Sequence, residues 1–187
     1  MKSYFLKSLR LTLVLLVLCS GLYTFLVYGA AQLVPDKGRG DHINGGDKSY
    51  YANIGQAFHD DRYFQGRPSA VGYNAAGSGG SNKGPYDKEY LEVVKGRIDT
   101  FLVHNPGISK EQIPVELVTA SGSGLDPDLS PAAALVQVPR IAARRNIPAG
   151  TLKLLITKQT RKPLLGIMGP EKINVLTLNL ALDQIKP

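Results

Sequence analysis

Apolar residues are distributed in two regimes along this chain. From Leu11 to Pro35 it reads LTLVLLVLCSGLYTFLVYGAAQLVP, without a single charge. As a helix this stretch would extend about 37 Å, enough to cross a hydrocarbon core of about 30 Å with some tilt. Beyond it, apolar positions recur singly among polar ones, the pattern of a water-soluble domain. Tyr90, Leu91, Val94, Ile98, Phe101 and Leu102 share one helical face, opened by Pro85-Tyr86-Asp87 and ended by Asn105-Pro106-Gly107. Residues 114–120, PVELVTA, alternate like a short strand, with Val115, Leu117 and Thr119 on one side.

A helix is expected from Pro131, capped by Ser130, with Ala134, Leu135, Val138, Ile141 and Ala142 inward. Pro139 should kink or split it, and Gln137 is expected at the surface. Another helix opens at Ile147-Pro148 and uses Leu152, Leu155 and Ile156. Residues 49–64 are weakly helical, through Tyr51, Ile54, Ala57 and Phe58. The last segment fits two patterns. Leu176, Leu178, Leu180 and Leu182 alternate like a strand, whereas Asn174 as N-cap with Val175, Leu178, Asn179 and Leu182 fits a helix, the favoured reading. The expected class is α+β: one N-terminal transmembrane helix, then a single mixed α/β domain with short strands.

A basic start before an apolar run also describes a signal peptide, but such runs usually span only 7 to 15 residues. Cys19 is preceded by Leu18 rather than the small residue a lipoprotein site requires. The stretch therefore reads as a retained anchor. Lys2, Lys7 and Arg10 favour a cytoplasmic N-terminus and an external domain. The expected organisation is 1–10 cytoplasmic, 11–35 transmembrane, 36–48 a glycine-rich tether and 49–187 an extracytoplasmic domain. Gly21, Gly29 and Ala30 are small enough to let another membrane helix approach closely.

Composition narrows the chemistry. The net charge is +7, of which Lys2, Lys7 and Arg10 supply three. The remaining excess, mixed with acids, is an ordinary solvated surface and implies no nucleic-acid partner. Cys19 is the only cysteine, so the domain has neither an internal disulfide nor thiolate chemistry. His42, His59 and His104 lack metal-ligand spacing.

Two glycine-rich blocks are candidate binding loops. Gly77, Gly79 and Gly80 precede Ser81, Asn82 and Lys83, but the P-loop spacing fails because Lys83 precedes Gly84 and Pro85 follows. Ser121-Gly122-Ser123-Gly124 runs into Asp126 and a helix start, a setting in which backbone amides bind anions. Asp126 and Asp128 oppose that reading by repelling a phosphate, and Ser130-Pro131 explains much of the motif as a helix start. No nucleophile elbow, HExxH motif or zinc-binding cysteine pair is present.

Several segments together resemble one family: YFQGRPSA (63–70), YNA (73–75), SGGSN (78–82), VTASGSGLDP (118–127), QVPR (137–140) and NVL with LNLAL (174–176, 178–182). They resemble the C subunit of the Kdp potassium-transporting ATPase, over nearly the whole chain. The resemblance implies a non-catalytic subunit of an ATP-driven potassium importer in a bacterial inner membrane. Its partners would be a channel-like potassium-translocating subunit, a P-type ATPase subunit and the lipid bilayer. It further implies a catalytic chaperone that raises the ATP affinity of the ATPase subunit, with no tightly bound cofactor and ATP only in a transient ternary complex. The nucleotide or partner contacts would then be Ser121, Gly122, Ser123, Gly124, Asp126 and Gln137, and the other loop contacts Arg67, Ser69, Asn74, Ser81 and Asn82. The alternative is a purely structural subunit whose external domain covers the potassium entrance without touching nucleotide. Asp128 departs from the pattern, standing where many relatives carry histidine, which weakens any scheme that needs a cation there.

Overall fold

The computed structural model describes residues 2–46 and 48–185. The chain forms two compact units, Met1–Asp41 and His42–Pro187. In the first, α1 (Lys2–Leu16), a π-helical stretch (Val17–Tyr23) and α2 (Thr24–Ala31) follow one another directly. Tyr4–Ala31, 28 residues, is long and apolar enough to cross a membrane. The helix takes in Lys7 and Arg10 and stops at Ala31 instead of reaching Pro35. Proline disfavours helical backbone in the residue before it, and Val34 is extended. Gly21 lies in the π-helical stretch and Gly29 and Ala30 in α2. A Cβ added at either glycine would meet nothing within 4 Å.

The second unit begins earlier than expected, because half of the anticipated tether is folded. β1 (His42–Gly45) and β2 (Lys48–Tyr51) pair antiparallel with Ile43 opposite Tyr50. The His42 and Tyr51 rings lie 4.4 Å apart, and Gly46 supplies a positive φ at the turn. Asp47, in the same tether, lies outside the described residues, as do Met1, Lys186 and Pro187. The helix expected over 49–64 does not form: after β2 the chain has no helix or strand until Lys88. Gly55 is one reason. Its N–H donates to the Leu125 carbonyl at 2.8 Å, and a side chain would stand 2.6 Å from the Asp126 carbonyl oxygen.

Asp87 caps α3 (Lys88–His104) by accepting from the Tyr90 N–H at 2.9 Å. That amide bond, helped by Lys83, holds the Asp87 carboxyl below its ordinary pKa. Only Phe101 of the expected apolar face is buried, whereas Leu91 is exposed. The helix therefore packs chiefly through its C-terminal turns.

The strand expected at 114–120 is instead a 3-10 turn, Val115–Leu117. Leu117 and Val118 are both buried while Val115 is exposed, and consecutive burial is incompatible with the two-residue period of a strand. The Thr119 N–H and hydroxyl both donate back to the Val115 carbonyl, closing the turn.

The core is helical. β3 (Asp128–Leu129) pairs antiparallel with β4 (Ile173–Asn174), and each leads into a helix. Pro139 splits the helix after Ser130 into α4 (Pro131–Leu135) and α5 (Val138–Arg145), where it occupies the first turn, the position at which proline costs no hydrogen bond. Leu135, expected inward, is exposed. α6 (Ala149–Gln159) packs against α4, α5 and α7 (Val175–Asp183). Leu129, Ile141, Leu152, Ile156, Leu178 and Leu182 are almost fully buried there. Asn174 caps α7 through the Thr177 N–H at 3.1 Å, which settles the terminal segment as a helix.

Candidate functional site

The two glycine blocks meet. The Gly79 N–H donates to the Ser123 carbonyl at 2.8 Å, and the Ser78 hydroxyl donates to the same oxygen at 3.0 Å. The Ser121 N–H donates to the Pro68 carbonyl at 3.0 Å, and the Ser69 hydroxyl to the Gly124 carbonyl at 2.6 Å. Within the loop, the Gly124 N–H reaches the Ser121 carbonyl and the Leu125 N–H reaches the Ser123 hydroxyl. Arg67 pairs with Asp126 at 3.0 Å.

Contact is close enough to account for the glycines. A Cβ at Gly124, where φ is +69°, would lie 2.6 Å from the Gly79 oxygen; one at Gly80 would lie 2.8 Å from the Gly122 oxygen. Tyr73 closes the site by donating its hydroxyl to the Arg67 carbonyl. Burial, followed by the Asp126 charge, pushes that phenol up to about 12.

Arg67, Ser69, Ser121 to Gly124 and Asp126 thus form one cluster, with Ser81 and Asn82 following Gly80 at its edge. Asn74 turns back on itself, its side-chain oxygen accepting from the Ala76 N–H at 3.0 Å. Gln137 is not at the surface, because it is fully buried and its side chain is saturated. Its amide oxygen accepts from the Gln65 N–H (2.9 Å) and Arg140 (2.7 Å), and its NH2 donates to the Gln65 and Ala133 carbonyls (3.1 and 3.0 Å).

Sequence reasoning missed the residues that secure the long coil. Asn179, buried on α7, accepts from the Phe64 N–H and donates to the Phe64 carbonyl, both at 2.9 Å. Asn174 donates to the Ala52 carbonyl at 2.7 Å. Arg140, also buried, donates to Asn105 (3.0 Å), Gln137 (2.7 Å) and the Asp61 carbonyl (2.7 Å). Burial pulls its pKa down, and the nearby Asp61 carboxylate opposes that shift. The available signal was a polar residue at a core position of a helical period: Asn179 directly follows Leu178 on the face that Leu182 completes.

Among the described residues no three His, Cys, Asp or Glu side chains gather as a metal site. One apolar helix of membrane-crossing length thus precedes a domain whose polar side chains mostly hold its own loops in place. That build suggests a membrane-associated protein.

Comparison makes the class specific. Residues 5–184 match the family described as KdpC: K+-transporting ATPase, c chain. The chain is 49% identical to the potassium-transporting ATPase KdpC subunit of Flavobacterium johnsoniae, over the full length of both. It is 48% identical to that of Phocaeicola vulgatus, over 97% of this chain and 98% of the relative. For Polaromonas naphthalenivorans the figure is 45%, over 100% and 97%. The chain belongs to the KdpC family, and it is accordingly an accessory subunit of a potassium import complex.

Proposed function

We propose that this subunit sits in a bacterial inner membrane with its N-terminus in the cytoplasm and its domain outside. There it assembles the complex with a channel-like potassium-translocating subunit and a P-type ATPase subunit, and raises the ATP affinity of the latter through those partners, without touching nucleotide itself. The observation behind this reading is the closed glycine cluster. The amides of Gly79, Ser121, Gly124 and Leu125 already have acceptors within the protein, and the loops approach too closely for a phosphate to lie between them. The basic residues Lys7 and Arg10 at the start of the helix support the orientation.

ATP titration of the complex with and without this subunit tests the mechanism. A weaker apparent affinity in its absence is expected; equal affinities would leave only the structural role. A single cysteine at exposed Lys153, in a Cys19→Ser background, should be labelled by an impermeant maleimide on spheroplasts. Protection would overturn the external placement.

A further inference from the structure

We propose that the groove between α3 and residues 57–73 receives an extended, carboxylate-bearing segment of another subunit of the complex. The inference rests on the reading of this chain as an assembly subunit and adds the surface that does the work. The groove encloses about 760 Å³ and is walled on one side by Val93, Gly96, Arg97 and Thr100, with His104 at its end. These residues recur at helical spacing, so the wall runs about 16 Å, the length of about five extended residues.

The walls carry two arginines, Arg67 and Arg97, beside His59 and His104, and no carboxylate lines them. Arg97 donates to the Val118 carbonyl at 3.1 Å but has no carboxylate partner among the described residues. The Arg67 Nε is buried without an acceptor, although the rest of that guanidinium is engaged by Asp126 and the Ala120 carbonyl. His104 leans outward to Asp61 at 2.8 Å. Phe101 and Leu117 provide an apolar floor beside these charges.

Gly96 is the independent observation. It lies in the middle of a helix, where glycine costs about 1 kcal/mol relative to alanine. Its φ is negative, and a Cβ there would meet nothing within 4 Å, so neither backbone geometry nor packing within the domain calls for glycine. What it leaves open is the groove. A guest backbone can lie against it with a carboxylate turned towards Arg97, the guanidinium there that has no carboxylate partner among the described residues.

The test uses the full chain expressed with the other subunits of its complex. A photo-cross-linking benzoylphenylalanine at Thr100 should join one segment of a partner subunit that carries Asp or Glu, several-fold more than the same group at outward-facing Val103. Equal yields, capture of lipid, or a segment without carboxylates would overturn the proposal. Gly96→Ala should lower recovery of the partners about twofold. Gly96→Leu should lower it at least fivefold while thermal unfolding of the purified full chain stays as in wild type; full recovery with Gly96→Leu would overturn the groove. If the wild-type chain itself brings down no partner, the assembly reading and the groove fall together. If it does and the variants do too, only the groove falls.

Discussion

Leu178 and Asn179 are neighbours on α7, equally buried, yet they serve regions built on different principles. Leu178 belongs to the helical core, where α4 to α7 are held by apolar packing. Asn179 reaches the coil between Ala52 and Asp87, a run with no helix or strand of its own. Backbone groups in such a run still need partners once buried. Asn179 gives Phe64 both bonds that a neighbouring strand would give, and Gln137 does the same for Gln65. Carboxamides thus stand in for a sheet, and the core helices serve as the scaffold that aims them.

The sharpest way to break this contrast is to make Asn179 apolar. Leu178→Ala should cost about 2–5 kcal/mol, through lost burial and the cavity left behind. Asn179→Leu keeps the volume and raises the hydrophobicity, and would be mild if the position were ordinary core. It should instead cost about 2–6 kcal/mol, because the N–H and C=O of Phe64 are both stranded without water. Urea unfolding of the full chain in detergent measures both. A cost within about 0.5 kcal/mol of wild type for Asn179→Leu would mean that the coil is held by something else.

This contrast also explains what could be read in advance. α3 to α7 were legible because caps and periodic apolar residues act locally: Asp87, Ser130 and Asn174 all cap as their positions suggest. The coil was not, since Asn179 meets Phe64 across more than a hundred residues and nothing near either one signals the pairing. The strand expected at 114–120 failed for a similar reason: its alternation was real, but tertiary burial of both Leu117 and Val118 overrode it. The glycine blocks were recognisable as special. That their backbones face one another, Gly79 to Ser123, required the fold.

Within the SGSG loop the same logic separates two glycines that look equivalent in sequence. Gly124 has φ +69° and a would-be Cβ 2.6 Å from the Gly79 oxygen, whereas Gly122 has open space on that side. Gly124→Ala should cost about 2–4 kcal/mol, combining left-handed backbone strain with a backbone clash. Gly122→Ala should stay within about 0.5 kcal/mol, as at an ordinary surface site. Thermal unfolding of the two variants side by side decides it. Equal costs would mean that the loop is not fastened where Gly79 meets it.

The smallest effect is expected where the coil is tied at its exposed rim. Asp60 accepts from the Arg62 guanidinium at 2.8 Å and from the Arg62 backbone N–H, also at 2.8 Å. Those bonds, the side-chain ones foremost, lower its pKa from 3.8 to about 2. A depressed carboxylate stabilises the fold above its ordinary value, and that contribution is lost as pH falls from about 4 towards 2. Because the pair is solvated, the loss should be slight beside that of Asn179→Leu. The sharper readout is the carboxyl itself, followed by NMR. Arg62→Ala removes the guanidinium but keeps the backbone N–H, so Asp60 should then titrate between about 2 and 3.8. A wild-type midpoint at 3.8 would mean that the rim contact does not persist in solution, leaving the coil's hold to its buried carboxamides.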